Sequence, residues 1–409
     1  MPARGLLASV VLVGCASVAL GGAVSSPSAE GSSLTTAARP SSPEARTRPA
    51  SPAPARGRML AGTGVVRWGP LYAQASGYER FRYVLVSRHD GPSAARLPGT
   101  SVVYMSGTSI QRSWSTGVSY REAVANGWLL EDAAGATLEN KRFGALIADV
   151  GDPAYQRRFV NNVLDYVAES KVDGVFLDDV QGDPTLLTGG VFPAKYPTVD
   201  AWEAAMVSFV STVGKALRDK GRYVLANAAK FVPGDPRSDS GANVADFWAR
   251  LAPNVDGLMN EYWLQNPNDV SELRVLGPSW RENWDGWQGL VGVAQRHGVD
   301  FFGLSYGSGA NRQAMRFLRG SFLLDWDGRG GALLYAPTDS ADPFHPTWVK
   351  QLGAPARAKA RIRDGVFLRR YAKGVVVVNA TRGPVRVRVA GVARVVPDAD
   401  ALFVRVRAR

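Results

Sequence analysis

The sequence predicts an α/β protein: a (β/α)8 TIM barrel followed by a small antiparallel β-sandwich-like C-terminal domain. Three observations predict it. Eight short apolar runs alternate with helical stretches within residues 61–353, which is the size and rhythm of a barrel. Beyond Pro355 the apolar residues recur at every second position instead. No GxxxxGK[ST] occurs, and no GxGxxG stands between a strand and a helix. That disfavours the competing doubly wound sheet and its nucleotide chemistry.

Residues 1–24 read as a secretory signal, with one early cation (Arg4) and an apolar run from Leu6 that is short and rich in Gly and Ala. Within it, Leu12-Val13-Gly14-Cys15 resembles the bacterial lipobox, whose Cys becomes a lipidated first residue. The alternative is a plain signal cleaved near Ala23. Cys15 is the only cysteine, which excludes a disulfide framework and any Cys-rich metal centre. Residues 25–60 are rich in Ser, Pro, Ala, Thr and Arg, with almost no large apolar side chain beyond Leu34. Such a segment cannot bury enough surface to offset the entropy of ordering, so it reads as a flexible spacer. Signal and spacer together predict an exported protein, extracellular or held on the cell envelope. A lipidated Cys15 would tether it without a membrane-spanning helix.

The eight strand-like runs are Arg82–Ser87, Ser101–Ser106, Gly144–Asp149, Asp173–Asp179, Arg222–Ala228, Asp256–Tyr262, Asp300–Tyr306 and Gly331–Ala336. Apolar residues at helical spacing mark helices over Pro153–Ser170, Val199–Lys220 and Asn311–Leu324, with a short one over Pro343–Leu352. Asp152 before Pro153 is N-capping chemistry, and His297 beside Gly298 reads as a helix C-terminus. The stretch His89–Gly99 is a poor helix and reads as a loop.

In a barrel, function sits at the C-terminal ends of the strands. Those ends carry His89 with Asp90, Ser106, Asp149, Asp178 with Asp179, Asn227, Glu261 with Tyr262 and Trp263, Ser305 with Tyr306, and Tyr335. Side chains alternate faces along a strand. If the apolar pair Val175 and Leu177 packs against helices, Asp178 turns inward. The same reasoning groups Tyr223, Leu225 and Asn227 on one face, and Gly257, Met259 and Glu261 on another. Asp178, Asn227 and Glu261 are therefore expected to converge on one pocket from three neighbouring strands.

Asp173-Gly174-Val175-Phe176-Leu177-Asp178 resembles a strand found in several bacterial glycosidase-like barrels. Together with Ala148-Asp149-Val150-Gly151-Asp152-Pro153 before a long helix, the Asn227 strand end and Asn260-Glu261-Tyr262, it is similar to the hypothetical glycosyl hydrolase family 15. A more distant likeness is to the endo-α-1,4-polygalactosaminidase family. The resemblance implies carbohydrate hydrolysis with Asp178 and Glu261 as the working carboxylates.

Elementary chemistry agrees with two carboxyl groups. Glycosidic cleavage needs an acid to protonate the leaving oxygen and a carboxylate to attack the anomeric carbon or activate water, with no cofactor. Asp178 is assigned as nucleophile or base. Glu261 is assigned as acid, since Tyr262 and Trp263 beside it would desolvate it. Asp179 reads first as a supporting neighbour. Asn227 and Asp149 are candidate substrate contacts, as is His89 after the first run. Tyr262, Trp263 and Tyr306 offer flat faces on which sugar rings stack. The three His (His89, His297, His345) show no paired metal-ligand spacing, so no metal site is expected.

The tail, residues 354–409, shows alternating runs at Val366-Phe367-Leu368, Val375–Val378, Val385–Val389 and Phe403–Arg407 with turns at Lys373-Gly374, Arg382-Gly383-Pro384 and Pro397-Asp398. Its charge decides how the overall +12 is read. Residues 353–409 carry +11 and residues 1–60 carry +4, leaving −3 on the middle. A basic tail beside a slightly acidic barrel does not describe a nucleic-acid-binding barrel, and no nucleic-acid partner is expected. The Val/Arg alternation exposes a basic face, which is either a solvated surface or a contact for anionic wall polymers or lipid headgroups. Asn379-Ala380-Thr381 matches a glycosylation sequon. Three readings follow. The first is a secreted or lipid-anchored glycoside hydrolase acting on an extracellular or envelope polysaccharide. The second is a non-catalytic carbohydrate-binding barrel. The third is a metal-dependent barrel hydrolase such as a phosphodiesterase.

Overall fold

The computed structural model describes residues 59–67, 78–338 and 350–405, apart from 116, 142, 233, 280 and 281. The signal, the spacer, Cys15, His345, most of the helix expected over Pro343–Leu352 and the last residues of the final run lie outside the described residues.

Eight parallel strands close into a barrel: β1 (Leu60–Arg67), β2 (Phe81–Val86), β3 (Thr100–Ser106), β4 (Gly174–Gln181), β5 (Tyr223–Ala229), β6 (Gly257–Glu261), β7 (Asp300–Gly307) and β8 (Ala332–Pro337). Each pairs with its sequence neighbours, and β8 closes back on β1. Five long helices pack around it: α1 (Pro153–Ser170), α2 (Val199–Asp219), α3 (Ala242–Leu251), α4 (Trp284–Arg296) and α5 (Arg312–Asp325). Asp152 caps α1 by accepting from the amides of Ala154 (2.7 Å) and Tyr155 (3.0 Å). His297 ends α4, ahead of Gly298 with φ +73°. Between β2 and β3 stand only two short turns, Arg88–Asp90 and Gly91–Ala94, in place of a long helix.

One strand assignment needs correcting. Gly144–Asp149 is not a barrel strand. Ala145–Ile147 pairs antiparallel with Ser109–Ile110 and Glu139–Asn140 in a small sheet inserted between β3 and α1. Its three residues are all buried, so the apolar run alone does not distinguish a side sheet from the barrel wall. The missing barrel strand is Leu60–Arg67, at the edge of the segment that composition reads as spacer. Its Gly residues lower its strand propensity, and packing is what requires them. A Cβ on Gly62 would meet the Phe322 ring of α5 at 3.0 Å, and Gly62 also holds φ +65°. A Cβ on Gly64 would meet Leu334 of β8 at 3.1 Å.

Two strands start with the same Asp-Gly device. Asp173, before β4, accepts from the amide of Ser101 at 2.7 Å, and Asp256, before β6, accepts from the amide of Val224 at 2.8 Å. A Cβ on Gly174 would lie 2.0 Å from the Tyr223 carbonyl oxygen, so only glycine lets β5 approach. The first two letters of the Asp-Gly-Val-Phe-Leu-Asp run are thus scaffold at the closed end of the barrel. Its last letter stands at the other end. The closed end is filled by Asp300, whose Oδ2 accepts from the hydroxyls of Tyr83 (2.9 Å) and Tyr223 (2.8 Å). Above it the interior is packed by Phe176, Leu225, Met259, Phe302, Leu304 and Leu334.

The tail forms β9 (Ala360–Arg363), β10 (Val366–Tyr371), β11 (Gly374–Asn379), β12 (Val385–Val389), β13 (Val392–Val396) and β14 (Asp400–Arg405). A four-stranded sheet of order β9-β10-β11-β14 carries the hairpin β12–β13 on one side. Its other side packs on α5, where a Cβ on Gly320 would meet Ala401 at 2.4 Å. This explains the unbroken Val375–Val378 run: Val375 and Val377 face the hairpin while Val376 and Val378 face the barrel. Arg316 pairs with Asp400, Lys359 with Asp325, and the rings of Trp284 and Phe367 stack at 4.9 Å across the same seam. Asn379 is fully buried and donates to the carbonyls of Gly383, Val396 and Pro397, so its sequon is a structural knot rather than an acceptor site.

Candidate active site

The cluster is built by parity. Phe176, Leu225 and Met259 point into the barrel. Two residues further along each strand come Asp178, Asn227 and Glu261, on the same face at the C-terminal end. The Asn227 carboxamide joins the two acids. Its Nδ2 donates to Asp178 Oδ1 at 2.8 Å and to Glu261 Oε2 at 3.0 Å. Each carboxyl also has its own phenol. Tyr306 of β7 donates to Glu261 Oε1 at 2.6 Å, and Tyr104 of β3 donates to Asp178. Asp178 and Asn227 are buried, whereas Glu261 and Tyr104 are half-buried.

Asp179 enters through a bulge. The β4–β5 register shifts between Leu177 and Val180, and Asp179 takes φ +56°. A left-handed aspartate is an uncommon backbone state that its surroundings must hold in place. Ser109 Oγ (2.7 Å) and Ser106 Oγ (3.3 Å) donate to its Oδ2, and Thr108 donates to its carbonyl. The two serines support Asp179 directly beside Asp178.

Three acids in one buried space repel. Desolvation, then the charge of Asp178, pushes Glu261 up to about 8, against the donors Tyr306 and Asn227. Desolvation first and the Asp179 charge second raise Asp178, and burial raises Asp179. The phenols of Tyr104 and Tyr306 are held far above their ordinary range by burial and by the carboxylates they face. At neutral pH the site therefore holds at least one proton that a solvated carboxyl would have lost.

Several residues singled out in the sequence lie apart from this cluster. Asp149 ends the side sheet rather than a barrel strand, and its two oxygens are taken by Lys195 and Tyr196 from the loop after β4. Trp263 is fully buried on the helix side, where its ring lies 5.3 Å from Phe301 and its Nε1 donates to the Trp287 carbonyl. It has no face to offer a sugar. Tyr262, by contrast, belongs to the barrel interior beside the cluster, 6% exposed and with its ring 5.0 Å from Tyr306. His89 stands exposed in the turn after β2.

Two residues at the site were not anticipated. Tyr104 shares the parity of Ser106, so that strand end already held the signal. Gln181 was not legible. Strict alternation from Asp178 puts it outside, but the bulge reverses the parity, and Gln181 pairs with inward-facing Ala229 while Val180 turns to the helices. Gln181 is 4% exposed, and its Oε1 is buried without a hydrogen-bond partner.

Comparison with known proteins adds the family. Similar solved structures include the glycoside hydrolase domain of PelA from Pseudomonas aeruginosa (12% identity, TM-score 0.44, covering 68% of this chain and 95% of that one). Others are the noncanonic maltogenic alpha-amylase AmyB from Thermotoga neapolitana (11%, 0.48, 86% and 97%) and the alpha-galactosidase from Lactobacillus brevis (8%, 0.46, 82% and 49%). No curated protein sequence matches. The model of one family matches residues 104–375, which span β3 to β11 and include Asp178, Asn227 and Glu261. On that match, the chain belongs to the hypothetical glycosyl hydrolase family 15 and is a glycoside hydrolase by family.

Proposed function

We propose that the barrel is a retaining glycoside hydrolase in which Asp178 is the nucleophile and Glu261 the acid and base. The observation that carries this reading is the Asn227 bridge. Its bonds of 2.8 and 3.0 Å cap the distance between the two bonded carboxylate oxygens at their sum, about 5.8 Å. Retaining enzymes hold their carboxyl groups about 5–5.5 Å apart, whereas inverting ones leave about 6.5–9.5 Å for a water. In the first step the Glu261 proton passes to the glycosidic oxygen as that oxygen leaves, and an Asp178 oxygen bonds to the anomeric carbon. In the second, Glu261 takes a proton from water, and the hydroxide oxygen displaces Asp178.

The protonation pattern supports the roles. Glu261, pushed up to about 8, keeps its proton at neutral pH, as an acid must. Asp178 is raised as well, by burial first and the Asp179 charge second, with the donors Asn227 and Tyr104 acting against both. Asn227 would hold both groups in register. The proposed substrate is an extracellular or envelope polysaccharide, on the strength of the signal-like residues 1–24.

A panel of polysaccharides assayed for reducing-end release tests the reading. The wild type releases reducing ends from at least one, while Asp178→Asn and Glu261→Gln release essentially none and keep the wild-type circular dichroism. Glycan binding by the wild type with no turnover on any member would leave only a binding barrel. Full activity in both variants would remove the site assignment.

A further inference from the structure

We propose that the hairpin β12–β13 is a docking surface for an anionic lipid bilayer. The tail is layered outward from the barrel: α5, then the four-stranded sheet, then this hairpin. The hairpin is thus the outermost layer, and its outer face turns away from the catalytic barrel.

The charge on that face is uncompensated. Arg386 and Arg388 are exposed on it. Arg394, cross-strand from the sheet-facing Val387, is exposed on the other side of the hairpin, and residues 383–397 contain no acid. Other arginines of this region are neutralised by carboxylates: Arg316 by Asp400, Arg361 by Asp364, and Arg382 by Glu282. The three hairpin arginines make no such pair among the described residues. Arg388 instead donates to the Gly391 carbonyl, and the backbone of Arg386 accepts from Arg363 of the neighbouring edge strand. This draws a further cation to the same edge.

Exposed aliphatic side chains stand beside these arginines, and they decide between partners. Of the six large apolar side chains exposed among the described residues, three are in the tail: Ile362 (45%), Val392 (48%) and Val395 (57%). Val395 lies cross-strand from Arg386 and shares its outer face, whereas Val392 lies cross-strand from the sheet-facing Val389, beside the hairpin tip. At the tip, Ala390 (φ +50°) and Gly391 (φ +81°) make the tight two-residue turn that lets the hairpin project. A soluble anionic polymer would need the arginines alone. A headgroup layer takes both, the guanidinium groups at the phosphates and Val395, with Val392 at the tip, just beneath them. No described helix is long and apolar enough to cross a membrane, so the contact is a surface contact.

The test uses the full chain carrying Cys15→Ser, so that no acyl anchor contributes. It is co-sedimented with vesicles of phosphatidylcholine alone or mixed with phosphatidylglycerol, in low and high salt. Binding is expected only to the phosphatidylglycerol vesicles, and it should be lost in high salt. The triple variant R386S/R388S/R394S should bind about a hundredfold more weakly, from a few-fold per cation. V392S/V395S should bind several-fold more weakly, and all variants should keep the wild-type melting temperature. Equal binding by the triple variant, or equal binding to neutral vesicles, would overturn the proposal. So would capture of soluble polyglycerol phosphate that the valine variant leaves intact while neither vesicle binds.

Discussion

The two ends of this barrel hold the same kinds of side chain and use them differently. At the closed end a single acid, Asp300, accepts from two phenols, Tyr83 and Tyr223. At the open end two phenols, Tyr104 and Tyr306, face three acids, with one carboxamide shared between two of them. One acid with two donors is a satisfied plug. Three acids buried side by side repel as they ionise, although each has donors of its own, and a carboxyl group that keeps its proton beside one that can lose it is what glycosidic cleavage uses. The difference lies in the number of acids gathered in one place, since burial, tyrosines and hydrogen-bond donors are common to both ends.

Mutation should separate the ends most sharply. Asp178→Asn and Glu261→Gln should each lower turnover by roughly 10³-fold or more with the fold kept. Tyr83→Phe should leave turnover intact and cost about 1 kcal/mol of stability, read by denaturant unfolding. Next in size, Asn227→Ala removes the bridge and should lower kcat by about 10²-fold with a smaller change in KM. Gln181→Leu deletes the unmatched acceptor. It should raise KM roughly tenfold while leaving the melting temperature equal or higher, because no donor among the described residues bonds to that oxygen. A fall in melting temperature would make Gln181 structural instead.

The smallest effect is a pH dependence of stability. Glu261 has a folded value near 8, above its ordinary carboxyl value of 4.5. The unfolded chain therefore gives up that proton first, and the native state loses relative stability as pH rises from about 4.5 to about 8. Below that window the acid is neutral in both states and costs nothing. Glu261→Gln, which cannot ionise, should melt a few degrees higher than wild type near pH 8 and equally near pH 4. A gain at both pH values would mean packing rather than charge.

Much of this was readable from residue order, and the failures have physical causes. Seven of the eight barrel strands announce themselves as apolar runs, because a wall buried on both faces needs them. Leu60–Arg67 does not, since close packing against Phe322 and Leu334 selects glycine over β-branched residues. Gly144–Asp149 imitates a barrel strand because burial in a side sheet makes the same demand. Parity brought Asp178, Asn227 and Glu261 to one face, as alternation holds along unbroken strands. It failed one step later, at Gln181, where a single left-handed residue reverses it. Trp263 stands two residues after Glu261, where strict alternation would put it on the same face, but β6 ends at Glu261 and Tyr262 takes φ +53°, so Trp263 turns to the helix side.

The central claim is that Asp178 and Glu261 stand at the spacing for double displacement. Proton NMR of the first product released from the glycan that the wild type cleaves tests it most directly. The account predicts that the new reducing end appears first in the anomeric configuration of the bond that was broken, with the other anomer growing in only by mutarotation. Initial appearance of the opposite anomer would contradict it.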